Sequence, residues 1–172
     1  MLISPEYRDL NADLHRTNQA YGISSSKWAA TVKSLAKSLN ALTVLDYGAG
    51  KCRLREGVEE FGELPFMLFE YDPAIESLRN GKRPADLVVC TDVLEHIEPA
   101  CLTDVLDDLR ALTLKAAFLT VATRPAKKVL ADGRNAHLIQ QPARWWLPSL
   151  MERWELVNFN NLGGEFAVVL KA

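Results

Sequence analysis

At 172 residues the chain fits one domain with one core. Hydrophobic residues make up 48% and charged residues 24%, an ordinary globular balance, and no apolar run approaches the length of a membrane span. The net charge of -2 sets up no positive field toward duplex nucleic acid or anionic membrane, so neither is an expected partner. Cys52, Cys90 and Cys101 are odd in number and unclustered. They imply neither a disulfide framework nor a zinc site, so no metal is expected and a reducing cytoplasm is the expected location. Met1 to Glu6 lacks a basic region followed by an apolar stretch, so no signal peptide is expected.

Ser4-Pro5 is a helix start, with Tyr7, Leu10 and Leu14 following at helical spacing. Tyr21 to Ser26 breaks that helix, and a second places Trp28, Val32, Leu35 and Leu39 on one face. Leu42 to Leu45 reads as a buried strand ending at Asp46, and Leu54, Val58 and Phe61 mark the next helix. Phe66 to Phe69 and Asp86 to Thr91 are further strands. A helix carries Leu102, Val105, Leu106, Leu109 and Leu112, and Ala117 to Ala122 is a fourth strand. Thr123 to Gln141 reads as a long lid loop, and Pro142 to Arg153 as a partial helix that Pro148 interrupts or restarts. Trp154 to Phe159 and Phe166 to Leu170 are closing strands joined by a short Asn/Gly link. Alternating strands and helices predict an α/β sandwich with a mostly parallel sheet, and the short last link makes the final pair antiparallel. The expected organisation is a single domain over 1–172, with an N-terminal helical cap at 1–40 and a sheet core at 41–172 carrying the lid at 123–141.

Gly48 and Gly50 lie between a buried strand and a helix, where ligands bind in open α/β sheets. A dinucleotide fingerprint needs a further glycine where Arg53 stands, so a nicotinamide oxidoreductase is a poor match. Asp46 immediately before the glycines would repel a pyrophosphate but suits an ammonium or hydroxyl. Asp72 ends the next strand at the distance of a ribose-binding acid.

These pieces resemble class I S-adenosylmethionine-dependent methyltransferases of the small-molecule type. The resemblance rests on Val44 to Gly50, on Tyr71-Asp72-Pro73-Ala74, and most specifically on Ala85 to Ile97 with its Asp92-Val93-Leu94-Glu95-His96 run. It covers about Leu39 to the C-terminus, and the whole chain also resembles compact stand-alone members from phages and prophages. The resemblance implies a Rossmann-like three-layer sandwich, S-adenosylmethionine as cofactor, and methyl transfer to an oxygen or nitrogen. It implies that Gly48 and Gly50 lie against the methionine part, with Asp46 and Tyr47 beside them and Asp46 near the ammonium. Asp72 would hold the ribose hydroxyls, Tyr71 would pack on the ribose or adenine edge, and Cys90, Thr91 and Asp92 would line the reacting methyl. Two departures stand out. Cys52 replaces the third glycine of the loop, and only Pro73 to Ala85 separates the second strand from the third. The sheet should therefore lack one strand of the usual seven, with adenine recognised differently.

Arg124, Lys127, Lys128, Arg134 and Arg144 stand against a single acid, Asp132, in the segment after the fourth strand. Asp86 to Asp108 has seven acids and no Lys or Arg. This asymmetry points to a small anionic substrate or nucleotide over the basic segment. Arg124, Arg134, Asn135, His137 and Trp146 are the candidate substrate residues. His137 is the first candidate for a general base, and His96 supports the cofactor wall or serves as a base itself. His15 is expected to be solvated. Tyr21, Lys27 and Trp28 should cap the cofactor cleft, and the first helix is also a candidate homodimer contact. Cleavage of S-adenosylmethionine, or binding without turnover, is the alternative reading.

Overall fold

The computed structural model describes residues 1–172 and contains one six-stranded sheet in the order β2-β1-β3-β4-β6-β5. The strands are β1 (Thr43–Tyr47), β2 (Met67–Tyr71), β3 (Ala85–Thr91), β4 (Thr113–Ala122), β5 (Glu155–Asn161) and β6 (Glu165–Lys171). The first four are parallel, and β6 runs antiparallel to both β4 and β5. The expected closing hairpin is present, with Gly163 and Gly164 at positive φ in its turn. Five α-helices accompany the sheet: α1 (Pro5–Thr17), α2 (Ala29–Ser38), α3 (Arg53–Glu59), α4 (Leu102–Leu112) and α5 (Ala143–Met151).

Alternation along β1 explains the layers, because successive side chains leave opposite faces of the sheet. Val44 joins a core with Val32, Ala36, Leu54 and Val58 from α2 and α3. Leu45 and Tyr47 join a larger core with Leu106 and Leu109 of α4 and Trp146 and Leu150 of α5. β3 is covered on both faces, and its residues from Leu87 to Thr91 are all buried. A strand buried in this way reads as a nearly continuous apolar run.

The expected missing strand is indeed missing, and β2 is a sheet edge. Residues 79–84 wrap over it instead. Gly81 lies so close to the Glu70 carbonyl that a Cβ would come within 1.8 Å of its oxygen. Lys82 and Arg83 then place their cations 5.4 Å and 4.7 Å from the rings of Tyr71 and Phe69.

Several elements differ from the sequence expectation by more than a frayed end. α3 stops at Glu59, and Phe61 lies beyond it, 59% exposed. The second helix begins at Ala29, because Trp28 closes a short 3-10 turn over Ser24–Trp28. β4 begins at Thr113, directly after α4, so its first turn of chain is strand rather than loop. Pro148 lies inside α5 without ending it.

Segment 123–141 is less open than a free lid. Val129 and Asn135 form an antiparallel bridge, and Leu130 and Ala136 pack with Tyr7 of α1 in a third small core. α1 itself starts as expected, with the Ser4 hydroxyl accepting from the Tyr7 amide and Pro5 at the first turn.

Candidate active site

A cavity of about 580 Å³ opens at the carboxyl ends of β1 to β4. Its floor is Gly48–Gly50, Asp72–Ala74, Thr91–Val93 and the chain after Ala122. This is the location expected of ligands in open α/β sheets. The roof comes from α1 and from residues 20–25.

Gly48 and Gly50 have φ of +82° and +52°, which favour glycine. Their lack of side chain also serves internal contacts. A Cβ on Gly48 would fall 2.4 Å from Val93 Cγ2, and one on Gly50 would fall 2.8 Å from the Gly22 carbonyl oxygen. Gly22 thus rests directly on the loop, and its carbonyl accepts from the Lys51 amide at 3.0 Å. Cys52, at the third-glycine position, keeps the left-handed backbone with φ 57° despite its side chain.

Asp72 is buried at the cavity floor. Its Oδ2 accepts from the Gly50 amide at 3.1 Å and its Oδ1 from the Ala74 amide at 2.9 Å. An ionised carboxylate has about four acceptor sites, so both oxygens retain capacity for a pair of hydroxyls. No residue between Ala74 and Thr91 lines the cavity. The missing strand's contribution is therefore not replaced from that stretch.

Asp46 lies outside the cavity lining, 1% exposed, with its Oδ2 unpartnered. Burial pushes its pKa up to about 8, and the charges of Glu70 and Asp72 add to the shift. Tyr47, Tyr71 and Cys90 also lie outside the lining. Strand alternation turns Tyr47 toward α4, where its hydroxyl donates to Asp108 at 2.9 Å. The Tyr71 ring packs on Tyr47 at 4.9 Å, which corrects the expected stacking on a ribose or adenine edge. Cys90 is wholly buried in the α4-side core. Of the expected cofactor residues, Gly48, Gly50, Asp72, Thr91 and Asp92 face the cavity.

His96 and His137 both line the cavity, with ring centroids 4.8 Å apart. His96 Nδ1 lies 2.7 Å from the Ala136 carbonyl oxygen, and His137 Nδ1 lies 2.6 Å from that of Arg124. A carbonyl can only accept, so each Nδ1 carries a proton, and Nε2 is the atom left to accept or to bind a ligand when the ring is neutral. Burial, and then the neighbouring His137, lower the His96 pKa to about 4. Glu95 is fully buried beside them, and burial followed by the charge of Asp92 raises its pKa to about 8.

Arg124 lines the cavity with Lys127 and Lys128. Three other expected substrate residues do not. Arg134 is held by Asp132 at 2.6 Å, and Asn135 braces its own loop through Ala126 and His137. Trp146 is 1% exposed in the core, its indole N–H donating to the Gln141 carbonyl. A ring that large is worth more packed on the sheet than presented to solvent. The acids of 86–108 are partly neutralised from elsewhere, since Asp108 meets Lys82, Asp86 meets Lys115 and Asp107 meets Arg153.

The expected cap divides in the same way. Tyr21 lines the cavity, whereas Lys27 pairs with Asp92 at 3.5 Å and Glu165 at 3.1 Å. Trp28 packs edge-on to Phe118 in the core. His15 is not solvated. Its side chain is 12% exposed, and its Nε2 lies 3.9 Å from Asp72 Oδ2. Ile3, Tyr7, Asn11 and His15 all line the cavity and recur every four residues. That spacing puts Tyr7, Asn11 and His15 on one face of α1, with Ile3 just before its cap, and was the signal available in the sequence.

No family model matches the sequence, and no curated protein matches it significantly. Solved structures do resemble the fold. An O-methyltransferase family protein from Burkholderia thailandensis superposes with a TM-score of 0.63 at 14% identity, over 95% of this chain and 59% of that one. The 1,6-didemethyltoxoflavin-N1-methyltransferase of the same organism, holding its substrate and S-adenosylhomocysteine, gives 0.67 at 14% identity over 99% and 91%. Magnesium protoporphyrin IX methyltransferase from Synechocystis PCC 6803, with bound S-adenosylmethionine, gives 0.60 at 16% over 98% and 97%. This is the class I methyltransferase fold. The chain spans 59% of the first of these proteins and nearly all of the other two. In this chain the sheet has six strands, the β2 edge is wrapped by residues 79–84, and Glu95, His96 and His137 cluster at the cavity wall.

Proposed function

We propose that the chain transfers a methyl group from S-adenosylmethionine to an oxygen or nitrogen of a small, anionic molecule. One observation carries this reading. A single cavity joins the glycine loop and Asp72 at one end to His96, His137 and the cations Arg124, Lys127 and Lys128 at the other. Two of the solved structures sharing the fold were determined with S-adenosylmethionine or S-adenosylhomocysteine bound.

The residues fit such a cofactor. Asp72 has free acceptor capacity for ribose hydroxyls, and the glycine loop brings backbone rather than side chains against the cavity. The cofactor supplies an intrinsically reactive sulfonium methyl, so the protein needs no nucleophile of its own. Its residues must align the acceptor and exclude water. Tyr7, Asn11, His15 and Tyr21 roof the cavity and serve exclusion. Arg124, Lys127 and Lys128 hold the anionic acceptor, while His137 Nε2 orients it or takes its proton.

Incubation with S-adenosylmethionine, with and without cell extract, tests the reading. S-adenosylhomocysteine formed only with extract is the expected result. Methylthioadenosine formed without extract would instead show cofactor cleavage, and binding without turnover would show a sensor. With the acceptor in hand, His137→Ala should lower turnover by about a hundredfold or more. Full turnover in that variant would remove His137 from the mechanism.

A further inference from the structure

We propose that Glu95, His96 and His137 form a binding site for one divalent first-row transition-metal cation, open to the cavity. One donor atom from each lies within 4.8 Å of the others. Nothing in the sequence spacing announces the set, because His137 arrives from the segment after β4 while Glu95 and His96 follow β3. The three groups share one arrangement. Each has one polar atom tied to backbone, which leaves the other to serve as the ligand. Glu95 Oε1 accepts from the Ala122 amide at 2.9 Å, and the two Nδ1 atoms donate to the carbonyls of Ala136 and Arg124.

That is how metal-binding imidazoles are held, with the outer ring N–H on a carbonyl fixing the tautomer and aiming the lone pair. The independent observation is Glu95 Oε2. It belongs to a side chain with no solvent exposure, and it has no hydrogen-bond partner. A buried polar oxygen without a partner costs free energy that a cation between it and two imidazoles would recover.

The donor set selects the cation. Two imidazole nitrogens and one carboxylate suit zinc, iron(II), cobalt or nickel, whereas magnesium and calcium favour oxygen-rich sites. Bonds of about 2.0–2.2 Å place ligand atoms roughly 3.0–3.5 Å apart, so the cluster must close by about 1.5 Å at its widest. Three protein ligands leave at least one coordination position free, and all three residues line the cavity, so that position faces the acceptor end. Asp92 is not counted as a ligand, because Thr120 and Lys27 already engage its two oxygens. With the cation present, His137 is a ligand and its part in the reaction is to orient rather than to take a proton.

Cation binding stands apart from the methyl-transfer reading and is tested without turnover. Untagged protein is stripped with a chelator and titrated with Co²⁺, following visible d–d absorption. The expected result is one Co²⁺ per chain, displaced by Zn²⁺ and not by an equal concentration of Mg²⁺. Glu95→Gln and His137→Asn should each weaken binding by at least about tenfold. Circular dichroism of both variants checks that they fold, and His137→Asn, at the cavity wall, serves if the buried Glu95 variant does not. Wild-type protein without Co²⁺ absorption, or folded variants binding as tightly as wild type, would overturn the site. Calorimetry with S-adenosylmethionine alone separates the claims. Cofactor binding without Co²⁺ binding rejects only the metal site, and the reverse rejects only the methyltransferase reading.

Discussion

Cys52 shows how a single residue carries the cost of a local pattern. It occupies a left-handed backbone where a side chain costs about 1–2 kcal/mol relative to its ordinary conformations. Cys52→Gly should therefore raise stability by about 1 kcal/mol, or roughly 2–4 °C in melting temperature for a chain of this size. Calorimetric melting checks it. Asp46 makes a pH prediction. Its folded pKa is raised by burial to about 8, from an ordinary value of 3.8. Between those values the folded chain holds a proton that the unfolded chain releases, so stability falls as pH rises from 4 through 8. The urea midpoint should drop between pH 5 and pH 8, and Asp46→Asn should flatten that drop. The groups facing Asp46, Glu70 and Asp72, are both acids, so neither opposes the trend.

At the scale of elements, the cavity depends on α1 being held against segment 123–141. Tyr7 links them, since its ring packs with Leu130 and Ala136 and its hydroxyl donates to the His96 carbonyl at 2.6 Å. Tyr7→Ala removes a buried aromatic side chain and should destabilise this region by about 3 kcal/mol. Faster limited proteolysis near the exposed Asp132-Gly133 turn is the expected readout, with little change in the sheet. Unchanged cleavage would mean that α1 does not secure the segment. The strands and core helices were legible in the sequence because their apolar periodicity is strong, as in α4 and β3. The glycine loop and Asp72 were legible because their spacing is local. Trp146, Arg134 and Asn135 were misplaced because aromatic or polar character does not say which side of an element faces a cavity. His15 was missed because its partner, Asp72, is far away in the chain and only the fold brings them together.

For the whole molecule, the six-stranded sheet ends at β2, and that edge limits one end of the cavity. The wrap of residues 79–84 closes the sheet edge at β2, while Asp72 to Ala74 remain the last contribution of that edge to the cavity. The glycine-loop end rests on β1, β2 and the N-terminal roof, and the histidine end on β3, β4 and the segment beyond. Both ends open into one cavity, which is what the proposed transfer from a cofactor to an acceptor beside it requires. Titration calorimetry with S-adenosylmethionine, comparing wild type with Asp72→Ala, tests that assignment most directly. The account predicts one site per chain and a loss of affinity of about tenfold or more in the variant, since two charge-assisted hydrogen bonds disappear. No binding by wild-type protein, or equal binding by a folded Asp72→Ala variant, would contradict it.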